Sequence, residues 1–144
     1  MNNIFSHFFL LQYMQDSSGF HELPLTEPVI FDIFVYKIVN ITPIEVCNIF
    51  HNMQGFILSK LISENITYDS KQCKEQFFNI EAIAVLNKRQ NLQVCVFSGK
   101  FNNSEVIVEI DFEAKKLKIW MSNPDLKTEF QEFLSNKVNA QLSA

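Results

Sequence analysis

The sequence is poor in the residues that most often announce chemistry. Only three of its 144 residues are glycine, and neither G-x-G-x-x-G nor G-x-S-x-G occurs. Ser98-Gly99-Lys100 lacks both the glycine-rich approach and the following hydroxyl of a phosphate loop, so it reads as a hairpin turn. The three cysteines, Cys47, Cys73 and Cys95, are odd in number, far apart and never in a C-x-x-C pair. That argues against a structural zinc site and a disulfide framework, and leaves buried free thiols in a reducing compartment. His7, His21 and His51 stand alone, with no H-x-x-x-H or H-E-x-x-H partner, and read as surface or packing residues. No metal, no cofactor and no enzymatic activity are therefore expected.

Other absences narrow the class further. No apolar run is long enough to cross a membrane. The opening MNNIFSHFFLLQYMQ has neither a basic n-region nor a small-residue cleavage site, so the reading expects no signal peptide and no direct membrane insertion. Positive charge is short as well: 12 Lys and Arg stand against 16 Asp and Glu, for a net charge of −4. The only adjacent basic pairs are Lys88-Arg89 and Lys115-Lys116, so no electrostatic footprint for nucleic acid is expected. Three Asn-x-Ser/Thr triplets, at Asn40, Asn65 and Asn102, are taken as accidental in so asparagine-rich a chain.

What is present is apolar patterning. The chain is 47% hydrophobic, with 15 phenylalanines, and its length suits one domain with a sizeable core. Between Asn79 and Val138 four short runs (IEAIAVL, LQVCVFSG, EVIVEIDFE, LKIWM) alternate with a period of two, and a helical segment, NPDLKTEFQEFLSNKV, follows. Val106, Val108, Ile110 and Phe112 fall on one side, Ile107, Glu109 and Asp111 on the other. Polar breaks at 87–91, 99–104 and 114–116 predict hairpins and an antiparallel meander. Upstream, Val29–Val39 reads as a strand. Thr42, Pro43 and Glu45 form a capping box that opens a helix with the stripe Val46, Ile49, Phe50 and Met53. That helix either ends near Gly55 or runs on through Leu58, Leu61 and Ile62. A short helix is expected from Asp69 or Ser70 to about Phe78, and a final one from the Asn123 cap. The predicted fold is α+β: a twisted antiparallel β-sheet meander flanked by helices, occupying 29–138. Residues 1–28 read as a partly helical or linker segment, and 139–144 as a frayed end.

The alternation also proposes a site. Trp120 projects away from Leu117, Ile119 and Met121, together with Lys118. The same outer face is expected to carry Ile107, Glu109, Phe97 and Cys95 on neighbouring strands. Either the N-terminal segment or another domain covers this face, or it is a peptide-binding groove with Trp120 as anchor. Glu109 and Asp111 lack a third ligand and read as a solvated face rather than a metal or acid–base pair.

The order of elements is similar to that of a known family. Ile41-Thr42-Pro43-Ile44-Glu45-Val46, with Phe50 beyond, resembles the opening of the first helix in the C-terminal platform subdomain of beta-adaptin appendages, the ear domains of adaptor-complex beta subunits. Asn79-Ile80-Glu81-Ala82-Ile83-Ala84 resembles that subdomain's first meander strand, Lys88-Arg89 the basic pair after it, and Asn123-Pro124-Asp125 the strand–proline–acid–helix finish. The resemblance covers about 29–138. The sandwich subdomain that commonly precedes the platform is absent, which implies either an excised domain or a form similar to the beta subunit of the fourth adaptor complex, the latter preferred. The family's TBP-like platform docks short linear motifs. Its key tryptophan belongs to the strand matching Glu105–Ile110, where this chain has none, so no site transfers residue by residue.

The resemblance implies an interaction domain of a vesicle-trafficking adaptor complex. It would bind short hydrophobic or acidic peptides of accessory proteins, be attached to the remainder of the complex, and lie in the cytoplasm on trans-Golgi or endosomal coated membranes. The alternative is a small acidic secretion-type chaperone or homodimeric structural protein.

Overall fold

The computed structural model describes residues 33–143. The helix expected over 3–15, the connector at 16–28 and the strand residues before Ile33 lie outside the described residues. The elements are β1 (Ile33–Lys37), α1 (Pro43–Asn52), β2 (Ile57–Ser63), β3 (Ile66–Tyr68), α2 (Ser70–Glu75) and α3 (Ile80–Lys88). They are followed by β4 (Leu92–Phe101), β5 (Ser104–Asp111), β6 (Lys116–Met121), a 3-10 turn (Pro124–Leu126) and α4 (Lys127–Ser143). One six-stranded sheet has the order β1-β6-β5-β4-β2-β3, and every neighbouring pair is antiparallel. The architecture is thus mixed α+β, an antiparallel sheet flanked by helices.

Local chemistry sets most boundaries. Thr42 and Glu45 close the expected capping box on α1, with Pro43 inside the first turn. Asp69 and Gln72 do the same for α2. In β4–β5 the turn residues Asn102 and Asn103 both have positive φ, 47° and 68°, and Phe101 pairs with Ser104, the geometry of a two-residue hairpin loop. In the turn after β5, the Asp111 carboxylate accepts from the amides of Glu113 and Ala114 at 3.0 and 2.9 Å. Asn123 caps the 3-10 turn by accepting from the Asp125 amide at 3.1 Å, and α4 continues through 139–143.

Two expectations need correction, and one open choice is decided. IEAIAVL is not a strand but the body of α3. A short apolar run fits either period, and the arbiter here is Asn79, whose side chain accepts from the Ala82 amide at 2.9 Å and satisfies a free donor of the first turn. Ile83 is then fully buried while Val85 turns to solvent, a helical phase. The segment 87–91 is consequently no hairpin. It is a helix stop in which Gln90 takes φ 62°, and the amides of Gln90 and Asn91 return to the carbonyls of Asn87 and Leu86 at 2.9 and 3.0 Å, a Schellman arrangement. Finally, the pattern Leu58, Leu61, Ile62 belongs to β2, not to a longer α1. Met53 is extended and Gly55 has φ 85°, so the chain reverses before Phe56. β2 pairs with β3 through a second two-residue turn, Glu64-Asn65, with both φ values positive.

The helices share one face of the sheet. Val46, Cys47 and Phe50 of α1, Ile83 of α3, and Phe130 and Leu134 of α4 pack with Leu61, Cys95, Phe97, Val106, Val108, Ile110, Ile119 and Met121. The expected dry set (Val106, Val108, Ile110, Leu117, Ile119, Met121) lies wholly in this core. Gly99 is where turn and sheet meet most closely. A Cβ placed on it would lie 2.4 Å from the Gly55 carbonyl oxygen and 2.7 Å from Cγ of the Phe56 ring.

Candidate functional site

The register tests the proposed outer face directly. Ile107 lies opposite Trp120 and Glu109 opposite Lys118, so these four do share a face. On β4 their partners are Ser98 and Val96. Phe97 and Cys95 instead pair with Val108 and Ile110, on the helical side, and both are fully buried in the main core. Their assignment to the outer face is therefore corrected. The parity of β4 relative to β5 is fixed by the two-residue turn at Asn102-Asn103. Residues whose numbers sum to 205 pair, as Phe101 and Ser104 do, and counting back from that turn puts Phe97 and Cys95 on the dry side.

The outer face is also not open. Trp120 and Ile107 are each 1% exposed and Glu109 is 5% exposed. Only Lys118 reaches solvent, with its ammonium 3.8 Å from the Glu109 carboxylate. The Ser59 and Ser98 hydroxyls hydrogen-bond to one another at the same layer. A peptide therefore finds no free tryptophan there.

An accessible concavity lies elsewhere, on the helical side. The end of α1, the turn that follows it, the tip of β4 and the last turns of α4 enclose a groove of about 460 Å³. Its apolar lining is Ile49, Met53, Phe56, Phe101, Phe133 and Ala140. The amides of Asn48, Asn52, Gln54 and Gln141 and the cations Lys100 and Lys137 complete it, and no carboxylate is among the described lining residues. The aromatic wall is built of rings in mutual contact. The Phe101 ring meets Phe130 edge-on at 5.0 Å and Phe133 at 5.3 Å. Lys137 Nζ lies 5.5 Å from the Phe133 ring centroid, within cation–π range. Asn52 donates to the Asn48 side-chain oxygen at 3.1 Å across one helical turn, which orients both amides along the rim. Volume and composition suit one or two apolar side chains with hydrogen-bonding and cationic groups around them.

The three thiols are free and buried. Burial, and next Asp69, raises Cys73 from its ordinary 9.0 to about 12. Burial and the adjacent Cys47 thiol push Cys95 well up too. Burial raises the Tyr36 hydroxyl, and the neighbouring Gln131 side chain acts in the opposite direction. Among the described residues no group of three or more His, Cys, Asp or Glu could hold a metal ion, and no helix is long and apolar enough to cross a membrane.

No family model, no curated protein and no solved structure matches this chain.

The groove escaped the sequence reading because it is assembled from three separate stretches, residues 48–56, 100–101 and 133–141. Only the surplus of aromatic and methionine side chains at their ends hinted at it.

Proposed function

We propose that the chain is a protein–protein interaction domain that captures a short segment of an accessory protein, apolar in its anchors and acidic around them. The function expected from the resemblance, docking for a vesicle-trafficking adaptor complex on trans-Golgi or endosomal coated membranes, belongs to this reading, with the remainder of that complex as a second partner. The observation that carries the docking role is the groove between α1, α4 and the tip of β4. It has an apolar floor and two lysines with no carboxylate among its described lining residues, in a chain whose net charge is −4. A locally positive, aromatic-walled cleft on an acidic domain favours an acidic partner by charge complementarity, which acts mainly on encounter rate and selection against wrong partners. The site thereby moves from the Trp120 face to the helical side. The resemblance itself leans less on the 79–84 segment, since those residues form a helix in this chain.

The test is a titration of the isotope-labelled full chain with a synthetic peptide holding Phe and Leu three residues apart amid Asp and Glu. Amide shifts are expected to cluster on Met53, Phe101, Phe133 and Lys137. The pair Lys100→Glu and Lys137→Glu should weaken binding by about tenfold, corresponding to two partly exposed charge contacts. Shifts that cluster outside the groove, or an affinity indifferent to both reversals, refute the assignment.

A further inference from the structure

We propose that two copies of the chain associate about a two-fold axis, each seating its Phe77 ring in a cavity that lies beside the other's Phe77. The end of α2 carries the first observation. The Phe77 amide returns to the Lys74 carbonyl at 3.1 Å and the Phe78 amide to the Cys73 carbonyl at 3.2 Å, a Schellman stop. Phe77 thus holds the position that normally falls to glycine. It holds it at φ 53°, where a bulky side chain is disfavoured. The core returns little for this, since Phe77 is 82% exposed, the most open of the large apolar side chains described. Backbone strain and an uncovered ring at one position argue for a contact made outside the chain.

The matching hole stands next to this knob. A cavity of about 320 Å³ opens between the end of α1, the start of β2 and the end of α2, with Phe56, Ile57, Leu58 and Phe78 beside Phe77 among its walls. Its remaining described lining includes His51 and Lys74 and no carboxylate, whereas the segment that would enter it, Glu75-Gln76-Phe77, brings one. Lys74 of each copy then faces Glu75 and the Phe77 ring of the other, an ion pair beside a cation–π contact. Knob and hole on one patch are what a self-complementary two-fold interface requires, because every contact is made twice. That selects a second copy over an unrelated partner. A phenylalanine side chain buries about 150–250 Å², so two rings and the walls they cover bury on the order of 600–1,000 Å², the size of a weak, reversible association.

Sedimentation of the full chain from low-micromolar to near-millimolar concentration should show the mass rising from one copy to two. Phe77→Gly should keep the mass of one copy throughout, yet unfold at the same or a higher urea concentration, because glycine takes this backbone conformation without strain. Should that variant fail to fold, a charge exchange decides. Lys74→Glu and Glu75→Lys each set like charges against one another across the axis, and each alone should weaken association about tenfold. Mixing the two variants restores both opposite-charge contacts and should recover the dimer. A chain that keeps the mass of one copy at the highest concentration overturns the proposal. So do a dimer indifferent to Phe77→Gly, growth beyond two copies, and mixed charge variants that associate no better than either alone.

Discussion

Replacing Gly99 with alanine should be the most damaging single-methyl addition in the sheet. The added carbon would sit 2.4 Å from the Gly55 carbonyl oxygen and 2.7 Å from Phe56 Cγ, where ordinary contact begins near 3.4 Å. Roughly one ångström must be found, and neither neighbour yields easily. The Gly55 oxygen is backbone in a tight reversal whose next amide, that of Phe56, donates to the Met53 carbonyl at 3.2 Å. The Phe56 ring is held against Phe50 at 5.6 Å. Overpacking of this kind costs about 1–3 kcal/mol, and two simultaneous overlaps place the substitution near the upper end, about 3 kcal/mol. With an unfolding entropy of roughly 2.1 cal/mol/K per residue, that loss lowers Tm by about 10 °C. Gly55→Ala is the matched control. Its Cβ meets nothing within 4 Å, and only the φ of 85° opposes it, a strain of about 1–2 kcal/mol. Urea unfolding followed by circular dichroism measures both. If Gly99→Ala proves no more destabilising than Gly55→Ala, the close approach of turn and strand is not the constraint described.

Two further outcomes follow from the caps and the thiols. Asn79→Ala removes the acceptor for the Ala82 amide and should cost about 1 kcal/mol in urea unfolding; no loss would mean that α3 does not depend on this cap. The Cys73 thiol keeps its proton up to about 12 when folded, against an ordinary 9.0. Above 9 the unfolded chain binds fewer protons than the folded one, so stability is complete below that pH and falls as pH rises towards 12. Unfolding midpoints measured from pH 8 to 10.5 should decline, and Cys73→Ala should flatten the decline.

The parts of this fold that are legible in the sequence are those set by contiguous chemistry. Thr42, Pro43 and Glu45 fix the start of α1 whatever surrounds them, and the strict alternation from Val106 to Phe112 marks β5 with its dry side. IEAIAVL carries no such mark, because seven nearly continuous apolar residues suit a strand or a helix equally, and only the cap before them decides. β2 is hidden for a related reason. Leu58 to Leu61 are all buried and a bulge interrupts the register between Leu58 and Lys60, so no two-residue rhythm survives. The outer-face residues show how one loop length propagates. Alternation within and between β5 and β6 puts Trp120, Lys118, Ile107 and Glu109 on one face, as the register does. The phase of Phe97 and Cys95 is not contained in that alternation, because it depends on a turn of two residues rather than a longer loop.

The pairing of β1 with β6 has a consequence for how the protein is made. Lys37 lies opposite Lys116 and Ile33 opposite Trp120, so the first described strand has its sheet neighbour roughly eighty residues downstream. At translation rates of 5–20 residues per second, β1 waits on the order of 4–16 s after its own synthesis before that neighbour exists. For this interval it is an unmatched strand on the ribosome, open to pairing with other nascent chains. The meander β4–β5–β6 closes through short local turns soon after it emerges. The natural assembly order therefore runs from the middle of the sheet outwards, and the first described strand is among the last to be secured.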